Sequence, residues 1–350
     1  MNQNEQEKTN QAVGKQTIRF ACPPAILSRA SIVGDMEGQG PLASYFDQIE
    51  PDPAFGMDSW EEGESEMVRR AVQTAITKSG IAKENIRYIF GGDLLGQLIG
   101  STFGLKDFQI PIFGLYGACS TCGEALSLAA MTVNAGYASH VIAVTSSHFG
   151  GAEKQFRFPL EYGNQRPLSS TWTVTGSGAF LVSATSPDQP MKEYPRITSV
   201  TTGKIVDYGV RDNMNMGACM APAAADVIYQ CLEDLAVKPS HFDKIITGDL
   251  GKVGSEILIK LLRDNDYDIE KQHMDCGVCI FDNEEQDTHS GGSGCAAVTL
   301  AGYILHQLES NEWKRVLFVP TGALLSTVSF NEGQTIPGVA HAVVIEHIDL

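Results

Sequence analysis

No apolar run in this chain reaches the roughly 20 residues that a helical membrane span needs. The longest, such as CAAVTLAGYIL (residues 295–305), stop well short. Basic residues are also scarce: 25 Lys and Arg face 42 Asp and Glu, a formal charge of −17. That balance argues against nucleic acid as a partner and against a polybasic grip on anionic lipid. The opening stretch MNQNEQEKTNQAVGKQ lacks the apolar h-region of a signal peptide. Residues 1–15 are expected to be a flexible extension. Without a secretion signal, the eight cysteines read as reduced thiols rather than a disulfide framework.

What is present suits an ordinary globular protein. At 43% hydrophobic and 19% charged residues a sizeable core is available, and 350 residues suggest about two domains. Self-similarity sharpens that expectation. Residues 65–94 and 222–250 each read as an amphipathic helix, a polar turn and an apolar strand closing on Gly-Asp-Leu, with Asp93 and Asp249 as matching landmarks. Cys119 precedes a helix and then the strand HVIAVTSS, and Thr145 lies 26 positions on. Cys295 precedes a helix and then RVLFVPTGA, and Thr321 also lies 26 positions on. Finally, TVTGSGAFLVS (173–183) pairs with TIPGVAHAVVIEH (335–347), each a Gly turn feeding a strand. Alternating strands and helices predict an α/β fold with mainly parallel sheets. The halves are placed at residues 16–190 and 191–350, packed face to face as a pseudo-dimer, with the site at the carboxyl ends of the strands.

The stretch YGACSTCGEALSLAA (116–130) carries the first chemical question. Residues 111–118 read as a short buried strand, and Thr121 with Glu124 as a capping box starting a helix. Cys119 would then sit at a helix N-terminus, where the dipole eases thiol ionisation and favours a bound carboxylate. Nucleophile, metal ligand and inert pocket residue all remain open on this stretch alone. The pairs Cys119-x-x-Cys122 and Cys276-x-x-Cys279 have zinc-like local spacing. The former straddles a helix start, however, and the latter reads as a strand, which would send its thiols to opposite faces.

Taken together, YGACST (116–121), TSSH (145–148), EKQFRFPLEYGNQRP (153–167), MAPAAAD (220–226), GGSGC (291–295) and TGALLS (321–326) resemble the stage V sporulation protein AD family. The resemblance runs from about residue 15 to the C-terminus. It implies the thiolase-like fold of condensing enzymes, with duplicated βαβαβ halves layered αβαβα. It also implies a binding protein that helps move dipicolinic acid, free or as its calcium chelate, into the developing spore. The implied partners are membrane subunits of the same transport assembly, with the chain as a homodimer located in the forespore or spore, soluble or peripheral.

Thiolase-like catalysis needs a base for the thiol and a His or Asn to hold the oxyanion. In the superfamily these come from the second half. The chain has no His between 242 and 272, where acyl synthases place one on the loop beginning Gly248-Asp249. His289 in HSGGSGC is one residue short of the H-x-x-G-x-S-G spacing, and GVAHA presents His341 where thiolases place a second Cys. Only Cys119 stands clearly in place, so the expectation is binding without chemistry and without a cofactor or metal. The alternative is an acyltransferase using Cys119.

A flat dicarboxylate needs local positive charge in so acidic a chain. Arg157 is the expected bidentate partner, with Glu161 or Glu153 orienting its fork. Lys154 and Arg166 add charge, and Phe156, Phe158, Tyr162 or Trp172 are available to stack on the ring. Ser146, Ser147 and His148, at the end of the next strand, are expected to reach the second carboxylate beside Cys119, Ser120 and Thr121. Asp249 and Glu161 are candidates to complete a calcium shell. Lys204 reads as a surface charge.

Overall fold

The computed structural model describes residues 11–156, 169–185, 194–281 and 289–348. Its first half contributes β1 (Ala25–Gly34), β2 (Tyr88–Asp93), β3 (Ile112–Gly114), β4 (His140–Ser147) and β5 (Gly176–Ser183). The second contributes β6 (Arg196–Thr201), β7 (Lys244–Thr247), β8 (His273–Asp275), β9 (Arg315–Val319) and β10 (Ala342–Glu346). They run β8-β7-β9-β10-β6-β1-β5-β4-β2-β3 across one sheet path. Outward from the β1–β6 junction, where Ala25 meets Arg196, each half repeats one strand order. Asp93 ends β2, and Asp249 follows β7, the matching strand. The duplication expected from the repeats is therefore present in the topology.

The sheet is less parallel than expected. In each half the last strand, β5 or β10, runs antiparallel to both neighbours, and the three outer strands are parallel to one another. Each of these last strands is reached by an excursion that carries a short helix, Phe149–Phe156 before β5 and Thr327–Asn331 before β10. β5 is buried along its whole length, and β4 at every residue after His140, because helices cover both faces. The segment 111–118, expected as a buried strand, pairs only over Ile112–Gly114 and is exposed there. It is the sheet edge, with β2 as its one neighbour.

Six helices matter for the site: α1 (Trp60–Ser79), α2 (Ile99–Leu105), α3 (Thr121–Asn134), α4 (Met216–Leu235), α5 (Gly251–Arg263) and α6 (Ser293–Thr299). α1 begins where Ser59 Oγ accepts from the Glu62 N–H and stops at Gly80, whose left-handed φ of 67° ends the helix. α1 covers one face of β1, β4 and β5, and α4 covers the outer face of the second half. Between the halves lie α3 and α6. Leu126, Ala130 and Val133 of α3 share a core with Ala297 and Val298 of α6, Phe180 of β5 and Phe318 of β9. Small residues allow that close stacking. A Cβ at Gly178 would meet the Ala297 carbonyl oxygen at 2.6 Å, so larger side chains are excluded there.

Two local expectations change. Residues 11–15 belong to a hairpin rather than a flexible arm: Ala12 and Val13 pair with Ile18 and Thr17. The Asp234 carboxylate fixes its turn by accepting from the N–H groups of Lys15, Gln16 and Thr17. Cys276 and Cys279 lie on a short helix, Cys276–Ile280, not on a strand, because Asp275 caps it through the Val278 N–H.

Candidate ligand-binding cleft

Cys119 sits in a single tight turn, Ala118–Ser120, between β3 and α3. Ala118 adopts φ of 50°, a left-handed conformation uncommon for a residue with a side chain. Its neighbours hold it there. The Ser120 hydroxyl donates to the Gly117 carbonyl at 2.7 Å, and the Thr121 hydroxyl donates to the Ala118 carbonyl at 2.7 Å. Thr121 Oγ1 also accepts from the Gly117 N–H at 3.1 Å. Both hydroxyls therefore serve the turn, and Thr121 with Glu124 forms no capping box. The second half closes on this turn at Gly322, where a Cβ would lie 2.0 Å from the Gly117 oxygen.

Asp249 arrives from the loop after β7. Its Oδ2 accepts from the Gly292 N–H at 2.9 Å, and its Oδ1 has no hydrogen bond of good geometry among the described residues. The Cys119 thiol lies beside this carboxyl. Burial raises the thiol pKa well above its ordinary value, and the neighbouring Asp249 raises it further. Ease of ionisation, expected from the helix dipole, is thus overridden by desolvation and by an acid next door. Burial likewise lifts Asp249 to about 7, against the opposing pull of Cys119 and the Gly292 N–H.

Cys119 and Asp249 open onto a cleft of about 300 Å³ at the boundary of the halves. Its walls include Leu94, Leu95, Tyr116, Met216, Met220 and Leu325, with Gln97, Gln155 and Ser326 as neutral polar groups. Among the described residues, the lining has no Lys, Arg or His. His289 is buried with its ring against Gly251, and His341 accepts from the Gly203 N–H at 3.4 Å, with burial lowering its pKa to about 4. Neither imidazole lines the cleft. Cys295, the repeat partner of Cys119, is fully buried and donates to the Gly248 carbonyl at 3.3 Å.

Ser146, Ser147 and His148 do not face the cleft. Ser147 Oγ donates to the Val174 carbonyl at 2.7 Å and accepts from the Gly294 N–H at 3.0 Å, while Ser293 Oγ donates to the Ser146 carbonyl at 2.5 Å. The TSSH and GGSGC stretches are therefore each other's partners, stapling the halves beneath Asp249. Ser146 Oγ donates to Glu64 at 2.8 Å, and His148 Nε2 bonds the Pro53 carbonyl at 2.6 Å. Glu153 accepts from the Thr173 N–H and hydroxyl, Lys154 pairs with Glu61, Trp172 stacks on Phe149 at 4.0 Å, and Lys204 pairs with Asp226 at the surface. Arg157, Phe158, Glu161, Tyr162 and Arg166, and the side chain of Phe156, lie outside the described residues.

Sequence reasoning passed over Tyr116, Met216, Met220 and the Leu94–Gln97 loop as lining groups. The repeated Gly-Asp-Leu pointed to that loop, since it marks matched strand ends. A second buried acid pair also went unnoticed. Glu64 of α1 and Asp93 lie together, both raised chiefly by burial, to about 8 and about 6.

With this geometry in place, similarity to known proteins can be weighed. A family model described as stage V sporulation protein AD (SpoVAD) matches residues 14–346. The chain belongs to the stage V sporulation protein AD family. Stage V sporulation protein AD of Bacillus subtilis (strain 168) is 41% identical over 335 residues, spanning 95% of this chain and 97% of that protein. Membership ties the chain to sporulation. Solved structures share its fold at low identity. The 3-oxoacyl-[acyl-carrier-protein] synthase III of Aquifex aeolicus VF5 superposes with TM-score 0.56 at 15% identity, covering 92% of this chain and 99% of that one. A Xanthomonas campestris OleA variant bound with cerulenin gives 0.58 at 12%, covering 94% and 97%. The fold of this SpoVAD-family chain is thiolase-like.

Proposed function

We propose that this chain binds dipicolinic acid, free or as its calcium chelate, without chemical turnover, and serves its uptake into the developing spore. The observation that carries the reading is the pairing of Cys119 with Asp249. A condensing thiol needs a neighbouring base or cation to become a thiolate; here it has a carboxyl that opposes ionisation. The same carboxyl, protonated near neutral pH, can donate a hydrogen bond to a ligand carboxylate. Tyr116, Met216 and Met220 supply an apolar slot for a flat ring. Arg157 provides the second carboxylate's charged partner, and Glu161, Tyr162 and Asp249 complete the ligand's surroundings.

The chain works as a homodimer and docks as a peripheral subunit on membrane partners of the same assembly. The edge strand β3 supports the dimer: Ile112 and Phe113 are 45% and 53% exposed beside an unpaired backbone edge. Among the described residues no helix is long and apolar enough to cross a membrane, so attachment runs through protein partners. Calorimetric titration with dipicolinate, run beside an acyl-CoA thioester assay, tests the function. Saturable binding without turnover supports it. Turnover without binding replaces it with acyl transfer by Cys119.

A further inference from the structure

Away from the cleft, a cavity of about 320 Å³ opens where the N-terminal hairpin meets β6, β9 and β10. Its polar wall joins Arg19, His241, Arg315 and Glu346, with Phe20 and Leu235 as apolar sides. Arg19 is exposed, and its guanidinium has no hydrogen-bond or ion-pair partner among the described residues. Arg315 donates from Nη2 to Glu346 at 3.0 Å, and its Nε lies 3.0 Å from the same carboxylate as an ion pair. Its Nη1 faces His241, 3.4 Å from the carbonyl and 3.5 Å from Nδ1. Glu346 also accepts from the Thr198 hydroxyl at 2.9 Å. Two guanidiniums therefore face one carboxylate that is already fully engaged. In a chain of charge −17 this wall carries a local excess of positive charge, two arginines against one glutamate.

We propose that this cavity is a second ligand site, for a small dianion held between Arg19 and Arg315. A guanidinium fork matches the paired oxygens of a carboxylate or of a tetrahedral oxyanion. Arg19 brings the uncompensated charge and an open fork, and Arg315, held in place by Glu346, adds a second positive charge. His241 is the third donor. Burial and then Arg315 lower its pKa, Arg19 adds to this and Glu346 opposes it; it packs edge-on against Phe242 at 5.2 Å. An anion between the two arginines reverses their effect on the imidazole, so binding takes up a proton and strengthens as pH falls from 8 to 6.

Isothermal titration of the full chain with sodium sulfate and, separately, succinate tests this, one arm for inorganic oxyanions and one for dicarboxylates. Sulfate stays dianionic across that pH range, so any pH dependence belongs to the protein. The expected result is one saturable site for at least one probe, tighter at pH 6 than at pH 8. Arg19→Gln, at an exposed side chain the fold does not use, weakens it about tenfold or more, a loss of one charge-assisted contact. His241→Gln removes the pH dependence. Absence of saturable binding by both probes overturns the proposal, as does unchanged binding in Arg19→Gln. Loss of sulfate binding in Asp249→Ala with retention in Arg19→Gln also overturns it, since the anion then sits in the cleft.

Discussion

Asp249 stands beside the Cys119 thiol with its Oδ2 tied to the Gly292 N–H at 2.9 Å. The Cys119–Asp249 contact joins residues from opposite halves of a duplicated fold, and it sets the thiol's chemistry. Removing the carboxylate's charge should make Cys119 easier to ionise. Asp249→Asn is expected to speed alkylation of Cys119 by iodoacetamide several-fold at pH 8.5, read by peptide mass mapping. Equal or slower labelling means that Asp249 does not restrain the thiol.

Ligand binding should follow the protonation of the same group. Asp249, raised to about 7 by burial, donates to a carboxylate only when protonated. Dipicolinate affinity is therefore expected to fall as pH rises from 6 to 8.5, by about tenfold per unit at the limit of one coupled proton. Asp249→Asn, which donates at every pH, should flatten the profile. A profile of the same slope in the variant assigns the proton elsewhere.

Arg157 tests the charge supplied from the stretch after Phe156. Loss of a buried charge-assisted partner costs about 2–5 kcal/mol, so Arg157→Ala should weaken dipicolinate binding by at least about thirtyfold. Arg157→Lys should recover part of it, because an ammonium keeps the charge but not the fork. Unchanged affinity with a lowered melting temperature would mean that Arg157 serves only the fold.

Much of this architecture was readable in the sequence, because duplication leaves spacing behind. The 26-residue interval after Cys119 and Cys295, and the paired Gly-Asp-Leu, mark matched strands. Strand direction was not readable. Strands buried on both faces, such as β4 and β5, carry the same apolar run whether they pair parallel or antiparallel. The site was legible in its residues and not in their orientation. Ser146 and Ser147 belong to a motif near Cys119, yet their hydroxyls turn to Glu64 and Val174. Polar residues at a strand end are alike whether they serve a ligand or a neighbouring loop. Asp249 entered as a repeat landmark; its place beside the thiol depends on how the halves pack.

The buried pair Glu64 and Asp93 predicts a pH dependence of stability. Glu64 is raised to about 8 by burial and by Asp93, far above its unfolded value. Between pH 4.5 and 8 the native state binds more protons than the unfolded chain, so the pair's effect on stability worsens as pH rises. Glu64→Gln keeps the acceptor for Ser146 and carries no charge. It should raise the melting temperature at pH 8 by a few degrees, on the order of 1 kcal/mol or more, and change it little at pH 5. A uniform loss across pH would refute the buried-proton account.

The edge strand gives the test of assembly. Ile112→Lys places charge on an exposed apolar position of β3 and should convert the dimer to monomer by light-scattering mass, with secondary structure retained. A wild-type chain already monomeric at micromolar concentration would remove the dimer from the account.

Binding without chemistry is the central claim, and Cys119→Ser addresses it most directly. Dipicolinate is titrated calorimetrically into wild type and Cys119→Ser, and acyl-CoA is offered to both with intact-mass detection. The account predicts dissociation constants within about tenfold of each other, since the turn supplies shape and dipoles rather than a nucleophile, and no acyl adduct on either protein. An acyl group on Cys119 of the wild type, together with no dipicolinate binding, would contradict it.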